Sequence, residues 1–238
     1  MAKEILILDF FGLPGCGKTT TANFLFESIL NKKKKCNNLS GIPWKSKNSE
    51  KTSLKHKLYV LLRFFMPHNL VLSVELTLFF FRNGIFKADV IKRIFGIACY
   101  FSQLGILGEG AVYITDNGLF QTFCSIFFNE AFNRDLVLKC LSIITKRTEL
   151  KKIHFYYIEG TPDTCVNRVF NRDKMIRIKS MSKSDALDEM KKQKRIMDII
   201  FEHSKKTGLN IEKISSVNDI ISADELLRRA MTCAEEKH

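Results

Sequence analysis

Several absences in the sequence narrow the class of protein before any motif is considered. The seven cysteines never form a Cys-x-x-Cys pair, so neither a zinc site nor a disulfide framework is expected. A transmembrane helix needs roughly 20 consecutive apolar residues, and both apolar stretches that come nearest, 70–81 and 90–107, contain polar or charged residues. The first residues, MAKE, lack the basic region and long apolar core of a secretory signal. We therefore expect a cytoplasmic protein, and a position at the periphery of a membrane stays open.

Acidic residues are also scarce. The chain has 25 Asp and Glu against 38 Lys and Arg, a formal net charge of +13 at pH 7. Most of the excess lies in residues 31–110, where 14 Lys and Arg stand against 4 Asp and Glu, a net charge of +10. Such a segment favours an anionic partner. A small anionic substrate is expected, a membrane surface stays open, and nucleic acid is not expected. For the run Lys32 to Lys35 alone, a solvated surface without a partner is an equal alternative.

The rest of the composition is that of a globular protein. With 238 residues, of which 45 % are hydrophobic and 26 % charged, the chain can form one sizeable core, so a single domain over 1–238 is expected. Apolar runs predict strands, and helical stretches lie between them. This alternation predicts an α/β fold with a mostly parallel central sheet. The predicted strands are 5–11, 111–115, 153–158 and 209–215.

Three further segments complete the predicted organisation. Residues 31–53 are rich in Lys, Asn and Ser without a strand pattern, and are predicted to form a mobile loop. Residues 54–107 have helical spacing that Pro67 breaks, and predict a helical insertion. An amphipathic helix is predicted over 184–206. The phenylalanines of the insertion are expected in the core rather than at a membrane; they are Phe64, Phe65, Phe79, Phe80 and Phe81.

The stretch FFGLPGCGKTT begins with the last two residues of the first predicted strand, and its part from Gly12 to Thr19 matches the phosphate-binding loop pattern G-x-x-x-x-G-K-[ST]. Glycines let the backbone turn and present N–H groups to a phosphate, Lys18 reaches the β- and γ-oxygens, and the Thr19 hydroxyl ligates Mg²⁺. The alternative is an ordinary glycine-rich turn. The predicted nucleotide-binding residues are Gly12, Pro14, Gly15, Cys16, Gly17, Lys18, Thr19 and Thr20.

A second motif is a carboxylate at the end of the strand predicted over 111–115. Asp116 comes directly after this strand, where a residue that holds Mg²⁺ opposite the phosphate loop is expected. Thr19 and Asp116 are therefore the predicted metal residues. The alternative is that Asp116 is a turn former before Asn117 and Gly118.

A third motif combines a helix start with arginines. Thr161 and Pro162 are typical of a helix N-terminus. Arg168 and Arg172 are four residues apart and are predicted to share one face of that helix. Beyond them a mobile basic loop is predicted, with Lys174, Arg177, Lys179 and Lys183. Together these residues would form a lid over about 168–184 that closes on a triphosphate; a solvated basic helix is the alternative.

The three motifs together resemble nucleoside monophosphate kinases, especially thymidylate kinase-like proteins, over residues 1–30 and 108–230. The resemblance implies a three-layer P-loop fold, ATP and Mg²⁺ as cofactors, and lid arginines at Arg168, Arg172 and, as a third candidate, Arg177. Thymidylate kinases usually carry acidic residues where this chain has Phe11 and Pro14. They also have an Asp-Arg pair at the position of Asp116 and Asn117, and an Arg-Glu-Pro motif that 31–53 lacks.

These observations predict an ATP-dependent phosphotransferase whose acceptor is unidentified. Lys18, Arg168 and Arg172 would offset charge on the transferring group, and Asp116 would hold the metal. Asp9 stays open as a general base or a structural residue. A nucleotide-dependent switch or accessory ATPase is the alternative, although no guanine-reading N-K-x-D motif is found. The oligomeric state stays open, a homodimer included.

Overall fold

The computed structural model describes residues 5–31, 36–38, 65–85, 87–105, 107, 111–128, 130–172, 177–215 and 225. Within these residues the chain has an α/β fold around one sheet of five parallel strands. The strands are β1 (Leu6–Gly12), β2 (Cys36–Asn38), β3 (Val112–Thr115), β4 (Ile153–Glu159) and β5 (Asn210–Ser215). Their order in the sheet is β2-β3-β1-β4-β5. The predicted fold class, α/β with a parallel sheet, is confirmed.

Seven α-helices connect the described strands. They are α1 (Lys18–Asn31), α2 (Pro67–Arg82), α3 (Ala88–Leu104), α4 (Leu119–Ile126), α5 (Arg134–Thr145), α6 (Pro162–Phe170) and α7 (Lys183–Lys206). Two 3-10 turns, Thr148–Lys152 and Arg177–Ser180, precede β4 and α7. The amphipathic helix predicted over 184–206 is thus confirmed as α7, which Ser182 caps by accepting from the Asp185 N–H.

The two central strands are buried on both faces. Phe10 of β1 stacks on Tyr156 of β4 with ring centroids 5.2 Å apart, and Phe11 stacks on Tyr157 at 5.1 Å. Each pair is in register across the ladder, and successive side chains of a strand point to opposite faces. One pair therefore covers each face, and all four rings are buried. A continuous apolar run such as LILDFFG is typical of such a strand, because neither face meets water.

The strand order determines where a site can form. β1 lies between β3 and β4, and all three run parallel. The turn after β1, Asp116 after β3 and Gly160 after β4 therefore meet at one edge of the sheet. In open parallel sheets, ligands bind outside the carboxyl ends of the strands where the strand order reverses. This edge carries the candidate site.

Two segments differ from the sequence-based expectation. The prediction of a loop over 31–53 is wrong at Cys36–Asn38, which form β2 and pair with Val112 to Ile114. This edge strand has only three residues and no hydrophobic pattern that could predict it. It is a strand because its backbone pairs with β3. The rest of that segment from residue 39, and 54–64 of the helical insertion, lie outside the described residues. Pro67 was expected to break the helical spacing, and it is the first residue of α2. A proline is favourable at this position because the N–H that it lacks would have no partner within the helix.

The phenylalanines of the insertion were expected in the core, and among the described ones only Phe80 is fully buried there. Phe80 is buried, Phe79 is half-buried, and Phe65 and Phe81 are 58 % and 61 % exposed. Three consecutive residues of a helix point in directions about 100° apart, so a Phe-Phe-Phe run cannot bury all its rings against one neighbour. Phe64 lies outside the described residues. Among the helices that the structure describes, none has the length and apolar character to cross a membrane.

Candidate functional site

The glycine-rich turn between β1 and α1 packs tightly against α6. Gly15 has a φ angle of +87°, and a Cβ there would lie 2.7 Å from the Cys165 carbonyl oxygen. Any side chain at this position would be strained in conformation and would also collide with the backbone. Cys16, the next residue, is buried. The turn is therefore fixed by its contact with the first half of α6.

Backbone N–H groups at the start of α1 have no partner within the helix. The Cys16 N–H donates to the Leu13 carbonyl at 3.1 Å, and the first intrahelical bond runs from the Thr21 N–H to the Gly17 carbonyl at 3.0 Å. The N–H groups of residues 18–20 precede this bond and lie at the positive end of the helix dipole. Such a helix start following a glycine-rich turn suits an anion, above all a phosphate.

The Lys18 side chain folds back over this turn. Its ammonium donates to the Gly12 carbonyl at 2.7 Å and to the Leu13 carbonyl at 2.9 Å, and lies 3.8 Å from Cys16 Sγ. Both carbonyls belong to the turn itself. The positive charge is therefore held beside the free N–H groups, where it adds to their attraction for an anion.

The predicted metal residues come together across the sheet edge. The Thr19 hydroxyl donates to Asp116 Oδ2 at 2.5 Å, joining α1 to the turn after β3. Thr19 is exposed and Asp116 half-buried. A hydroxyl and a carboxylate oxygen are ligands that Mg²⁺ accepts, usually together with waters and phosphate oxygens. Among the described residues no cluster of three or more His, Cys, Asp or Glu could form a cage for a metal. The pair therefore fits a Mg²⁺ ion that also takes oxygens from a bound phosphate.

Asp9 lies at the turn that follows Asp116 and is fully buried. Its Oδ2 accepts from the Tyr100 hydroxyl at 2.7 Å and from the Leu119 N–H at 3.0 Å. A Cβ at Gly118 would lie 2.1 Å from the same oxygen, so the turn after Asp116 rests on the carboxyl group. Asp9 thus joins β1, α3 and the start of α4.

Burial raises the pKa of the Asp9 carboxyl from 3.8 to about 7. The hydrogen bonds from Tyr100 and Leu119 oppose this shift in pKa, and the charge of Asp116 adds to it. Asp9 Oδ1 has no hydrogen-bond partner in the described part of the chain. Of the two roles that the sequence left open for Asp9, these contacts favour the structural one, because the group supports the turn and is closed off from solvent.

Two contacts at the site were not predicted. Tyr100 is the only described side chain that donates to Asp9. It lies in the apolar run of α3, and apart from its hydroxyl no feature of that run marks it as a residue of the site. Gln121 on α4 accepts from the Gly12 N–H at 3.2 Å through its Oε1 atom. Gln121 is the third residue of α4, five residues after Asp116 in the sequence.

The prediction that Arg168 and Arg172 share a helical face is wrong. α6 ends at Phe170, Asn171 is its C-cap, and Arg172 lies exposed beyond it. Both arginines are nevertheless close to the glycine-rich turn. Burial raises the pKa of the Cys165 thiol to about 11, and the charges of Lys18, Arg168 and Arg172 each oppose this shift. The charges of three cations therefore reach Cys165, which lies at the contact between α6 and the turn.

The predicted basic loop after α6 contains regular structure in its second half, the part that the structure describes. Residues 177–180 form a 3-10 turn with Ile178 buried, and the Lys179 ammonium donates to the Arg172 carbonyl at 2.5 Å. Lys174 lies outside the described residues, so the predicted lid of about 168–184 is only partly described. Thr161 occupies the predicted N-cap position, but its hydroxyl donates to Thr164 Oγ1 at 2.8 Å rather than capping a backbone N–H.

Comparison with models of known protein families finds no match for this sequence, and a search of curated proteins finds no significant relative. The functional assignment therefore depends on the residues and geometry at the carboxyl edge of the sheet.

Proposed function

We propose that the chain is an ATP-dependent phosphotransferase that transfers the γ-phosphoryl group to a small anionic acceptor with Mg²⁺ as cofactor. The observation that carries this proposal is the meeting of three features at one sheet edge. These are the glycine-rich turn with free N–H groups, the Lys18 ammonium, and the Thr19 and Asp116 oxygen pair. A three-layer P-loop fold of the thymidylate kinase-like kind is part of the same proposal.

The turn and Lys18 would bind the β- and γ-phosphates of ATP. The N–H groups at the start of α1 donate to phosphate oxygens, and the helix dipole favours their negative charge. The Lys18 ammonium would exchange its bonds to the Gly12 and Leu13 carbonyls for bonds to phosphate. Because the tight packing of Gly15 on α6 holds the turn in place, these donors are arranged before the ligand arrives.

Thr19 and Asp116 would hold the Mg²⁺ ion. When bound, the ion polarises the phosphoryl oxygens and offsets the charge that develops during transfer. Asp9 would keep the Asp116 turn in position through Gly118 and Leu119. It is a positioning residue in this proposal and not a general base, because its carboxyl group is buried and already accepts two hydrogen bonds.

Arg168 and Arg172 would supply further positive charge to the transferring group. Arg168 is fixed on α6, whereas Arg172 lies on the connection to the 3-10 turn at 177–180. Preorganised cations near a phosphoryl group stabilise the transition state more than bound ATP. The acceptor would enter from the side of α2 and α3, since Tyr100 of α3 already lies beneath the Asp116 turn.

The proposal is tested by an acceptor screen with γ-labelled ATP. Purified protein is incubated with pools of nucleotides, sugars and lipid-linked sugars, and label transfer is measured with and without Mg²⁺. Label should move to a member of one pool in the wild type and not in Lys18→Ala, with both proteins folded by circular dichroism. Hydrolysis that no acceptor increases would contradict a kinase and favour the nucleotide-dependent switch.

A further inference from the structure

Two buried cysteines lie side by side where the turn after β1 packs on α6. A Cβ at Gly160, in the short link from β4 to α6, would lie 2.7 Å from Cys165 Sγ and 2.9 Å from Cys16 Cβ. Because one point lies so near both atoms, they are less than about 6 Å apart, and Gly160 puts no side chain between them. Disulfides form between cysteines in close contact of this kind, because the bond tolerates only a short separation of the two chains.

The Cys16 sulfur points along the turn. A Cβ at Gly12 would lie 2.8 Å from it, and the Lys18 ammonium lies 3.8 Å away. The positive charge of Lys18 attracts a negatively charged sulfur, the form that reacts with oxidants. A rotation about the Cα–Cβ bond of Cys16 would direct the sulfur toward Cys165 instead.

Cys165 interacts with the same groups through charge. Burial raises the pKa of its thiol to about 11, and the Cys16 sulfur adds to this shift, as a like charge nearby does. The charges of Lys18, Arg168 and Arg172 oppose the shift. The two sulfurs therefore lie within reach of each other's charge and beside one shared cation, Lys18.

One other described cysteine competes for Cys16. The charge of Lys18 also acts on the Cys124 thiol of α4, so this thiol is near the turn as well. The atoms nearest to a Cβ at Gly160, however, belong to Cys165 and Cys16. Cys165 is therefore the expected partner, and a bond to Cys124 is an outcome that an experiment can detect.

We propose that Cys16 and Cys165 are a site of reversible oxidation, at which a hydroperoxide converts the two thiols into a disulfide that closes the turn to ATP. The disulfide itself follows from the positions of the two cysteines. Its effect on ATP rests on the proposed phosphotransferase function, because it requires the turn between β1 and α1 to be the phosphate site. The modification would make phosphoryl transfer responsive to peroxide.

The reaction consumes one peroxide molecule for each disulfide. The Cys16 thiolate attacks one oxygen of hydrogen peroxide, the O–O bond breaks, and the departing hydroxide takes up the proton that Cys16 lost, leaving a sulfenic acid on Cys16. The Cys165 sulfur then attacks the Cys16 sulfur, the S–O bond breaks, and this hydroxide takes the Cys165 proton and leaves as water. The two thiols lose two electrons and the peroxide is reduced to two molecules of water. A dithiol reductant reverses the modification.

The disulfide would change the turn, because the packing there leaves no free space. A disulfide holds its two Cβ atoms about 3.8 Å apart. A Cβ at Gly15 would already lie 2.7 Å from the Cys165 carbonyl oxygen, so the backbone of the turn cannot move closer to α6 and must rotate instead. Rotation redirects the N–H groups at the start of α1, which have to converge on one phosphate. Since a misplacement of about 1 Å is costly, we expect the affinity for ATP to fall at least about tenfold.

The first experiment maps disulfides in the full chain after treatment with hydrogen peroxide. Free thiols are alkylated, the chain is digested with trypsin, which cuts after Lys and Arg, and joined peptides are identified by mass spectrometry. Cys16 falls in peptide 4–18 and Cys165 in peptide 153–168, and neither peptide contains a second cysteine. These two peptides should be joined more often than all other cysteine pairs together, and they should separate after dithiothreitol.

The second experiment measures ATP affinity by calorimetry on reduced and oxidised protein. The oxidised wild type should bind ATP at least about tenfold more weakly, and dithiothreitol should restore the affinity. Cys165→Ser cannot form the bond, so its affinity should be the same before and after peroxide. Cys140→Ser replaces another buried cysteine, on α5, and is the matched control that should respond to peroxide as the wild type does.

Several outcomes would overturn the proposal. These are peptides that do not join, a bond from Cys16 to the peptide with Cys124, a joined pair with unchanged ATP affinity, or equal weakening by peroxide in Cys165→Ser. A reduced wild type that does not bind ATP would refute the effect on ATP together with the proposed function, whereas the joined peptides would still decide the disulfide. That measurement uses the wild type, so it does not depend on the fold of a variant, which circular dichroism checks.

Discussion

Replacement of Asp9 by asparagine removes the carboxyl group that, among the described residues, is fully buried at the candidate site. Burial raises its pKa from 3.8 to about 7 in the folded chain, whereas the unfolded chain titrates near 3.9. Between these values the folded state holds a proton that the unfolded state has lost. The free energy of unfolding of the wild type therefore falls as pH rises through this window, by about 1.4 kcal/mol per pH unit.

The magnitude follows from the width of the window. A shift of roughly three pKa units corresponds to about 4 kcal/mol in total, and the part between pH 5 and pH 7 to about 2 kcal/mol, because the folded state is half deprotonated at pH 7. The asparagine side chain of the variant does not titrate and keeps an oxygen acceptor for the Leu119 N–H. The stability of Asp9→Asn relative to wild type should therefore increase by about 2 kcal/mol from pH 5 to pH 7 and then level off.

The assay is urea unfolding of both proteins at half-unit steps from pH 5 to pH 8. Only the difference between variant and wild type is interpreted, because other groups titrate equally in both. Tyr100→Phe removes a hydrogen bond that lowers the pKa of Asp9, so in that background the window should extend to higher pH. A difference that is independent of pH, or that changes with the opposite sign, would refute a buried carboxyl with a raised pKa.

The remaining predictions concern the proposed activity. Lys18→Ala should reduce labelled phosphoryl transfer at least a hundredfold while the urea midpoint stays nearly constant, since its ammonium bonds to groups of the turn itself; full activity would remove the phosphate-binding assignment. Asp116→Asn should raise the Mg²⁺ concentration for half-maximal transfer far more than it weakens nucleotide binding without metal, and superimposable Mg²⁺ titrations would contradict its role. Arg168→Ala and Arg172→Ala should each slow transfer on the order of a hundredfold, with ATP affinity by calorimetry within a few-fold of wild type. Equal rates of ATP turnover in the wild type and in both variants would exclude a role of these arginines in phosphoryl transfer.

The local pattern of the sequence was sufficient for the framework of the fold. The four predicted strands and the helix at α7 were located from apolar runs and helical periodicity, because each depends on residues close together in the chain. The glycine-rich turn could be located for the same reason, since its glycines, Lys18 and Thr19 lie within one short stretch between a strand and a helix.

Only the tertiary structure decided which distant groups meet. Asp9 accepts from Tyr100 across 91 residues and Gln121 from Gly12 across 109, and no local pattern encodes such a pairing. The edge strand β2 exists through its hydrogen bonds to β3, so its polar sequence gave no signal. The end of a helix depends on the neighbours that pack on it, which is why Arg172 lies beyond α6. Which ring of the Phe79 to Phe81 run is buried depends on the side of α2 that packs on the core, and Phe81 is 61 % exposed.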